Sequence, residues 1–104
     1  MNLLFIGDVV GQPGRRAISD QLPTLRQRFK LDLVVANAEN IADGAGITRK
    51  TANELFAAGV DVLTNGNHAW DKKEAFEYIT TEPRLLRPHN YPDGTPGTGW
   101  FVAT

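Results

Sequence analysis

Cysteine is absent from the 104 residues, which removes disulfides, thiolate nucleophiles and cysteine-based zinc sites together. Any metal must be held by carboxylate, amide or imidazole groups. Histidine is scarce, with only His68 and His89 present. Long apolar runs are missing too. The N-terminal Leu3-Leu4-Phe5-Ile6 lacks a basic flank and is far too short for a signal peptide or a membrane span, so a cytoplasmic protein with no membrane partner is expected. Nor does one charge dominate. The 11 Lys and Arg are spread along the chain against 12 Asp and Glu, a net charge of -1, and no basic stripe argues for long nucleic acid. A single nucleotide is compatible with that balance. The length suits one domain, 1–104, at the small end for an open α/β sheet with helices on both faces, which points to part of a longer unit.

What is present is a repeated unit. Leu3 to Ile6 is continuously apolar, as a central strand buried on both faces would be, and it ends in Gly7-Asp8. The Gly- and Pro-rich segment Val9 to Gly14 reads as a loop. Ile18, Leu22, Leu25 and Phe29, at spacings of four, three and four, then mark an amphipathic helix that Pro23 should kink or divide. Leu33-Val34-Val35-Ala36 is a second strand, followed by Asn37-Ala38-Glu39-Asn40. A helix should run from an N-cap at Thr48 to a C-terminal cap at Gly59, with Ala52, Leu55 and Phe56 on one face. The third strand, Val60 to Thr64, meets the turn Asn65-Gly66-Asn67-His68. Asp71 and Glu74 resemble a capping box for a third helix whose apolar side is Phe76 and Ile79. Leu85-Leu86 suggests a fourth short strand, residues 87–97 an ordered loop, and Gly99 to Ala103 the start of another strand.

Strand, polar loop and helix thus recur about every thirty residues, the length of a βαβ crossover in a parallel sheet. Right-handed crossovers would gather Asp8, Glu39, Asn40, Asn67 and His68 at one sheet edge, where α/β proteins bind ligands. Two carboxylates, two amides and an imidazole suit a pair of divalent or mixed-valence ions of the Mn, Fe, Zn or Mg type. Such a pair, about 3.5 to 4 Å apart, needs a ligand that spans it, and the two oxygens of Glu39 could do so. Neutral Asn40 and Asn67 would fill coordination without cancelling the positive charge that polarises a phosphoryl oxygen. His68, if not a ligand, is free to protonate a departing alkoxide. These are the parts of a phosphoester hydrolase. Each residue also has a plainer reading: Asp8 as a turn cap, Glu39 and Asn40 as solvated loop residues, and Asn-Gly-Asn-His as a polar turn. Arg87 could grip phosphate, but an Arg beside Pro more often pairs with a carboxylate or the backbone, and His89 reads as a loop histidine. Trp70, Tyr91 and Trp100 read as packing groups. It is the coincidence of polar groups at successive strand ends that favours the ligand reading.

The segments Gly7-Asp8-Val9-Val10-Gly11, Asn37-Ala38-Glu39-Asn40 and Gly66-Asn67-His68-Ala69-Trp70-Asp71 resemble the metal motifs of calcineurin-like metallophosphoesterases, specifically the YmdB-like branch. Gly44-Ala45-Gly46-Ile47-Thr48, Asp71-Lys72-Lys73-Glu74 and the run from Arg87 to Gly97 resemble that branch as well, with His89 departing from the small residue expected there. The common calcineurin-like pattern has a His two positions after the first Asp; here that position is Val10, as in the YmdB-like branch. The resemblance implies an α/β layered fold with mainly parallel strands and flanking helices, the N-terminal half of the metallophosphoesterase fold. It implies a dinuclear site of iron, with manganese as the alternative, that hydrolyses phosphodiesters such as cyclic nucleotides. Asp8 and Asn40 would sit on one metal, Glu39 would bridge, Asn67 would bind the other and His68 would donate the proton. Members of the family are longer and complete their metal shells with downstream histidines, so weak metal binding is expected of this chain by itself.

Two other readings compete. A dinucleotide-binding half-domain would use the glycines after the first strand and Glu39 as a ribose ligand. Gly7, Gly11 and Gly14 do not form G-x-G-x-x-G, however, and Asp8 would oppose a pyrophosphate. A non-catalytic regulatory or interaction fragment would instead pair its exposed sheet edge with another chain, giving a homo-oligomer.

Overall fold

A computed structural model describes residues 1–104. Three strands, β1 (Leu3–Ile6), β2 (Leu33–Asn37) and β3 (Val62–Thr64), form a parallel sheet in the order β1-β2-β3. Leu3 to Ile6 align with Leu33 to Ala36, and Val35 to Asn37 align with Val62 to Thr64. The helices α1 (Gly11–Phe29), α2 (Arg49–Ala58) and α3 (Glu74–Thr81) alternate with the strands. An α/β layered fold with parallel strands is therefore present, as expected.

The central strand is β2, not β1. Val34 and Ala36 are fully buried, whereas Leu3 and Phe5 of edge strand β1 are each 59% exposed. In a sheet ordered 1-2-3, right-handed crossovers put both connecting helices on one face. The core accordingly gathers Val34, Ala36 and Leu63 beneath Ile18, Leu22 and Leu55. The helices thus cover one face, and the other keeps an apolar trough of about 700 Å³ lined by Leu33, Val35, Val62, Leu86, Phe101 and Val102. An all-apolar β1 run cannot reveal by itself which of its faces is covered.

Helix α1 begins at Gly11, inside the segment expected to be a loop, and it continues through Pro23 without dividing. Pro13 lies in the first turn, where a missing N–H costs no helical bond. Pro23 is exposed and does sacrifice one, at a cost of about 3 kcal/mol. Burial of Ile18 and Leu22 on the inward face is of comparable size and holds the helix together. Its last carbonyls, of Phe29 and Lys30, accept from Asn2 Nδ2 at 2.9 and 3.2 Å. Arg26 then joins α1 to the β3 approach, donating to Asp61 Oδ2 at 2.5 Å and to the Gly59 carbonyl at 2.8 Å.

Helix α2 has the expected ends, Thr48 accepting from Thr51 N and Gly59 closing the C-terminus. Helix α3 does not. Lys73 precedes Glu74 with no side-chain cap, and Asp71 is engaged elsewhere. Ala75, Tyr78 and Ile79 are buried on α3, while Phe76 is half-exposed and stacks on Trp70 with ring centroids 4.9 Å apart. Leu85 makes a single parallel bridge to Leu63 in place of a fourth strand, and residues 99–103 form no strand. Too few residues there find a partner for a ladder.

Candidate metal and phosphoester site

All three polar loops leave the carboxyl ends of the parallel strands, on the same side of the sheet. The loops are also tied to one another: Val9 N donates to the Asn37 carbonyl at 3.3 Å, Gly11 N to the Asn40 carbonyl at 2.9 Å, and Ala38 N to the Thr64 carbonyl at 2.8 Å.

Asp8 stands just beyond β1 with φ of 27°, a conformation that costs a non-glycine residue about 1 kcal/mol or more and that clusters at functional sites. Its Oδ1 accepts from Asn40 Nδ2 at 2.7 Å. Glu39 turns toward β3. Its Oε1 accepts from Asn37 Nδ2 at 3.1 Å, and its Oε2 accepts from the His68 backbone N–H at 3.2 Å. Between these lies Gly66, where a Cβ would be 2.7 Å from Oε2 and nearer still to Oε1. Only glycine leaves the carboxylate room there.

The His68 ring is held from behind. Nδ1 is 2.8 Å from Asp71 Oδ2, which leaves Nε2 as the nitrogen available to a substrate. Asn67 is exposed, between Gly66 and His68. Gly46, at φ of 79°, lets the preceding loop lie against Asp71 and Lys72, where a Cβ would meet them at 3.1 and 2.9 Å.

The structure thus joins Asp8 to Asn40 and Glu39 to the His68 backbone, with Asn67 beside the latter pair. No three histidine or carboxylate side chains converge tightly enough to hold an ion by themselves, so a cation here depends on the amides as well. The donor set fits a hard or borderline cation: two carboxylates keep lone pairs free, and the amides add no charge. Arg87 and His89 do not join the group. Arg87 Nη1 donates to the carbonyls of Pro88 and His89, the backbone role anticipated for it, and His89 packs against Gly99. Trp70 packs against the core as expected, while Trp100 is largely exposed. Two contributors escaped the sequence reading. Asn37 and Asp71 both stood inside segments that resemble the metal motifs, but neither was given a role in the site, Asn37 reading as a strand-end amide and Asp71 as a helix cap.

A profile of YmdB-like proteins matches residues 4–104. The chain belongs to the YmdB-like family. Within the family range fall all three segments that carry the resemblance. The 2′,3′-cyclic-nucleotide 2′-phosphodiesterase of Bacillus subtilis (strain 168) is 48% identical over 99 residues, which make up 95% of this chain and 38% of that protein. The crystal structure of a hypothetical protein from Thermus thermophilus aligns with TM-score 0.90 and 48% identity, over 100% of this chain and 40% of that one. A novel phosphatase from Mycoplasma pneumoniae aligns with TM-score 0.86 and 36% identity, over 93% of this chain and 36% of its own. The chain spans about two fifths of the length of these relatives.

Proposed function

We propose that this chain supplies one side of a dinuclear metallophosphoesterase site that cleaves small phosphodiesters, cyclic nucleotides first among them. The carrying observation is the pairing of strand-end groups from separate loops: Asp8 with Asn40, and Glu39 with the backbone of His68 above Gly66. The relative from Bacillus subtilis, named for a cyclic-nucleotide activity, supports the substrate class. Asp8 and Asn40 would hold one ion, Glu39 both, and Asn67 the second, with iron preferred and manganese the alternative. Such ions, when bound, supply Lewis acidity toward a phosphoryl oxygen and toward water. The chain's own residues do the rest. Glu39 and Asp8 fix where cations would sit, water attacks phosphorus and gives up a proton to solvent, the P–O bond to the departing oxygen breaks, and that oxygen takes a proton from His68 Nε2. Asp71 keeps the imidazole aimed for that transfer. A cytoplasmic location agrees with such substrates, and no helix is long and apolar enough to cross a membrane.

The test is a chimera in which the matching segment of the Bacillus subtilis relative is replaced by this chain, assayed for bound iron or manganese and for hydrolysis of a 2′,3′-cyclic nucleotide. About two ions per chain and activity that falls at least a hundredfold in Asp8→Ala are expected. A folded chimera with neither metal nor activity overturns the reading.

One observation favours a second reading, self-association. Edge strand β1 carries no Lys, Pro or bulge, and both Leu3 and Phe5 are exposed on the uncovered face. A second copy would cover them. Sedimentation of the isolated chain across a hundredfold range of concentration tests this, and a constant monomer mass would end it.

A further inference from the structure

We infer that Asn37 is a positioning residue that presets the Glu39 carboxylate for cation binding, an inference that rests on the metal reading above. Asn37 closes β2 and does two things at once. Its backbone carbonyl accepts from Val9 N at 3.3 Å, fixing the turn that carries Asp8. Its side-chain Nδ2 donates to Glu39 Oε1 at 3.1 Å. A carboxylate accepts only, so the amide must present its nitrogen to Glu39, and Oδ1 is thereby turned into the interior with no protein donor. Stability alone would not favour that arrangement, because a buried unpaired acceptor loses its hydration without replacement.

The opposite side of Glu39 is equally constrained. His68 N donates to Oε2 at 3.2 Å, and Gly66 provides the space in which the carboxyl group lies. One N–H on each oxygen fixes the plane of the group while leaving further lone pairs on both oxygens. A carboxylate set in this way would meet a cation without first being reoriented, and groups that orient a ligand typically matter about ten- to hundredfold in metal affinity.

The experiment titrates the purified chain with Mn²⁺ and follows the free ion by electron paramagnetic resonance, with thermal melting as the check on folding. Asn37→Leu keeps the size of the side chain and deletes its donor, and Asn37→Ser keeps a polar strand end that cannot reach Glu39. Thr64→Val alters the residue aligned with Asn37 on β3, whose backbone carbonyl, not its side chain, accepts the hydrogen bond from Ala38 N in this loop. Both Asn37 variants should raise the Mn²⁺ Kd about tenfold or more, and Gly66→Ala should do likewise, while Thr64→Val stays within about twofold. Equal affinity in the wild type and a folded Asn37 variant overturns the inference. So does an equal loss in Thr64→Val, which would mark a general disturbance of the strand ends. If the wild-type chain binds no Mn²⁺ even at millimolar concentration, the same titration is read in the Bacillus subtilis chimera, and no binding there either overturns the metal reading and this inference with it.

Discussion

Asp71 Oδ2 lies 2.8 Å from His68 Nδ1, three residues back along the same turn. Both side chains are well exposed, at 38% and 44%, so the pair contributes little to stability. Its consequence is orientational. Nδ1 is committed to Asp71, and Nε2 is the nitrogen left to meet a leaving oxygen. In the chimera, Asp71→Ala should lower kcat about ten- to hundredfold, part of the range a general acid provides, with little change in KM. The melting temperature should hardly move. Steady-state kinetics on a cyclic nucleotide would decide it, and an unchanged kcat would remove Asp71 from the proposed mechanism.

Asp61 is a junction of a different kind. Its Oδ2 accepts from Arg26 Nη2 at 2.5 Å and from Val34 N at 2.8 Å, joining α1, β2 and the approach to β3. Because the Arg26 and Asp61 side chains are 30% and 37% exposed, the ion pair is partly screened, but the N–H of Val34 would be stranded inside the sheet without it. Asp61→Ala should cost about 1–2 kcal/mol, which for a domain of this size lowers Tm by roughly 5 to 15 °C. Asp61→Asn, which keeps an acceptor, should cost less. Urea unfolding of both variants would separate the two effects.

The strand-loop-helix repeat was legible because apolar runs stop sharply at polar groups, and Thr48 and Gly59 marked the ends of α2 by their own chemistry. What was not legible depends on neighbours far along the chain. Leu3 to Ile6 looks like a central strand because apolar residues occupy both faces, although one face is left open here. Gly11 to Gly14 read as a loop because Gly and Pro usually break helices, yet at a first turn Pro13 forfeits nothing. Asp71 could serve a helix or His68 with equal ease by sequence spacing. Spatial proximity decided between them, and the same holds for Asn37 and Glu39.

Phe5 offers a test of the uncovered face. Burying such a side chain between two copies would contribute about 1.5–3 kcal/mol, or roughly a ten- to hundredfold change in association. If β1 is the contact, Phe5→Lys should weaken self-association by at least that factor, since the change removes the apolar group and adds like charges across a twofold interface. Sedimentation velocity of the wild type and the variant would show it. Equal association in both would move the contact away from β1.

Glu82 should give the stability of the chain part of its acid dependence. Its carboxylate accepts from Arg84 Nη2 at 2.8 Å, Nε at 3.0 Å and backbone N at 3.1 Å, and it is held below its ordinary value of 4.5 chiefly by the Arg84 side chain. Arg84 is raised in turn, chiefly by its hydrogen bonds to Glu82. The pair steadies the turn whose Arg84 carbonyl accepts from Leu63 N, in the middle of β3, at 2.8 Å. A carboxylate with a depressed folded value binds fewer protons folded than unfolded, so its contribution is complete above the unfolded value and disappears as pH falls through the folded one. With Arg84 41% exposed, that contribution should be only about 1 kcal/mol. Glu82→Gln should therefore melt a few degrees lower than the wild type at pH 7, and the gap should close as the pH drops below 4.5. Thermal melts from pH 7 to pH 3 would show the convergence. Parallel curves throughout would mean that the Glu82–Arg84 contact does not govern the acid limb.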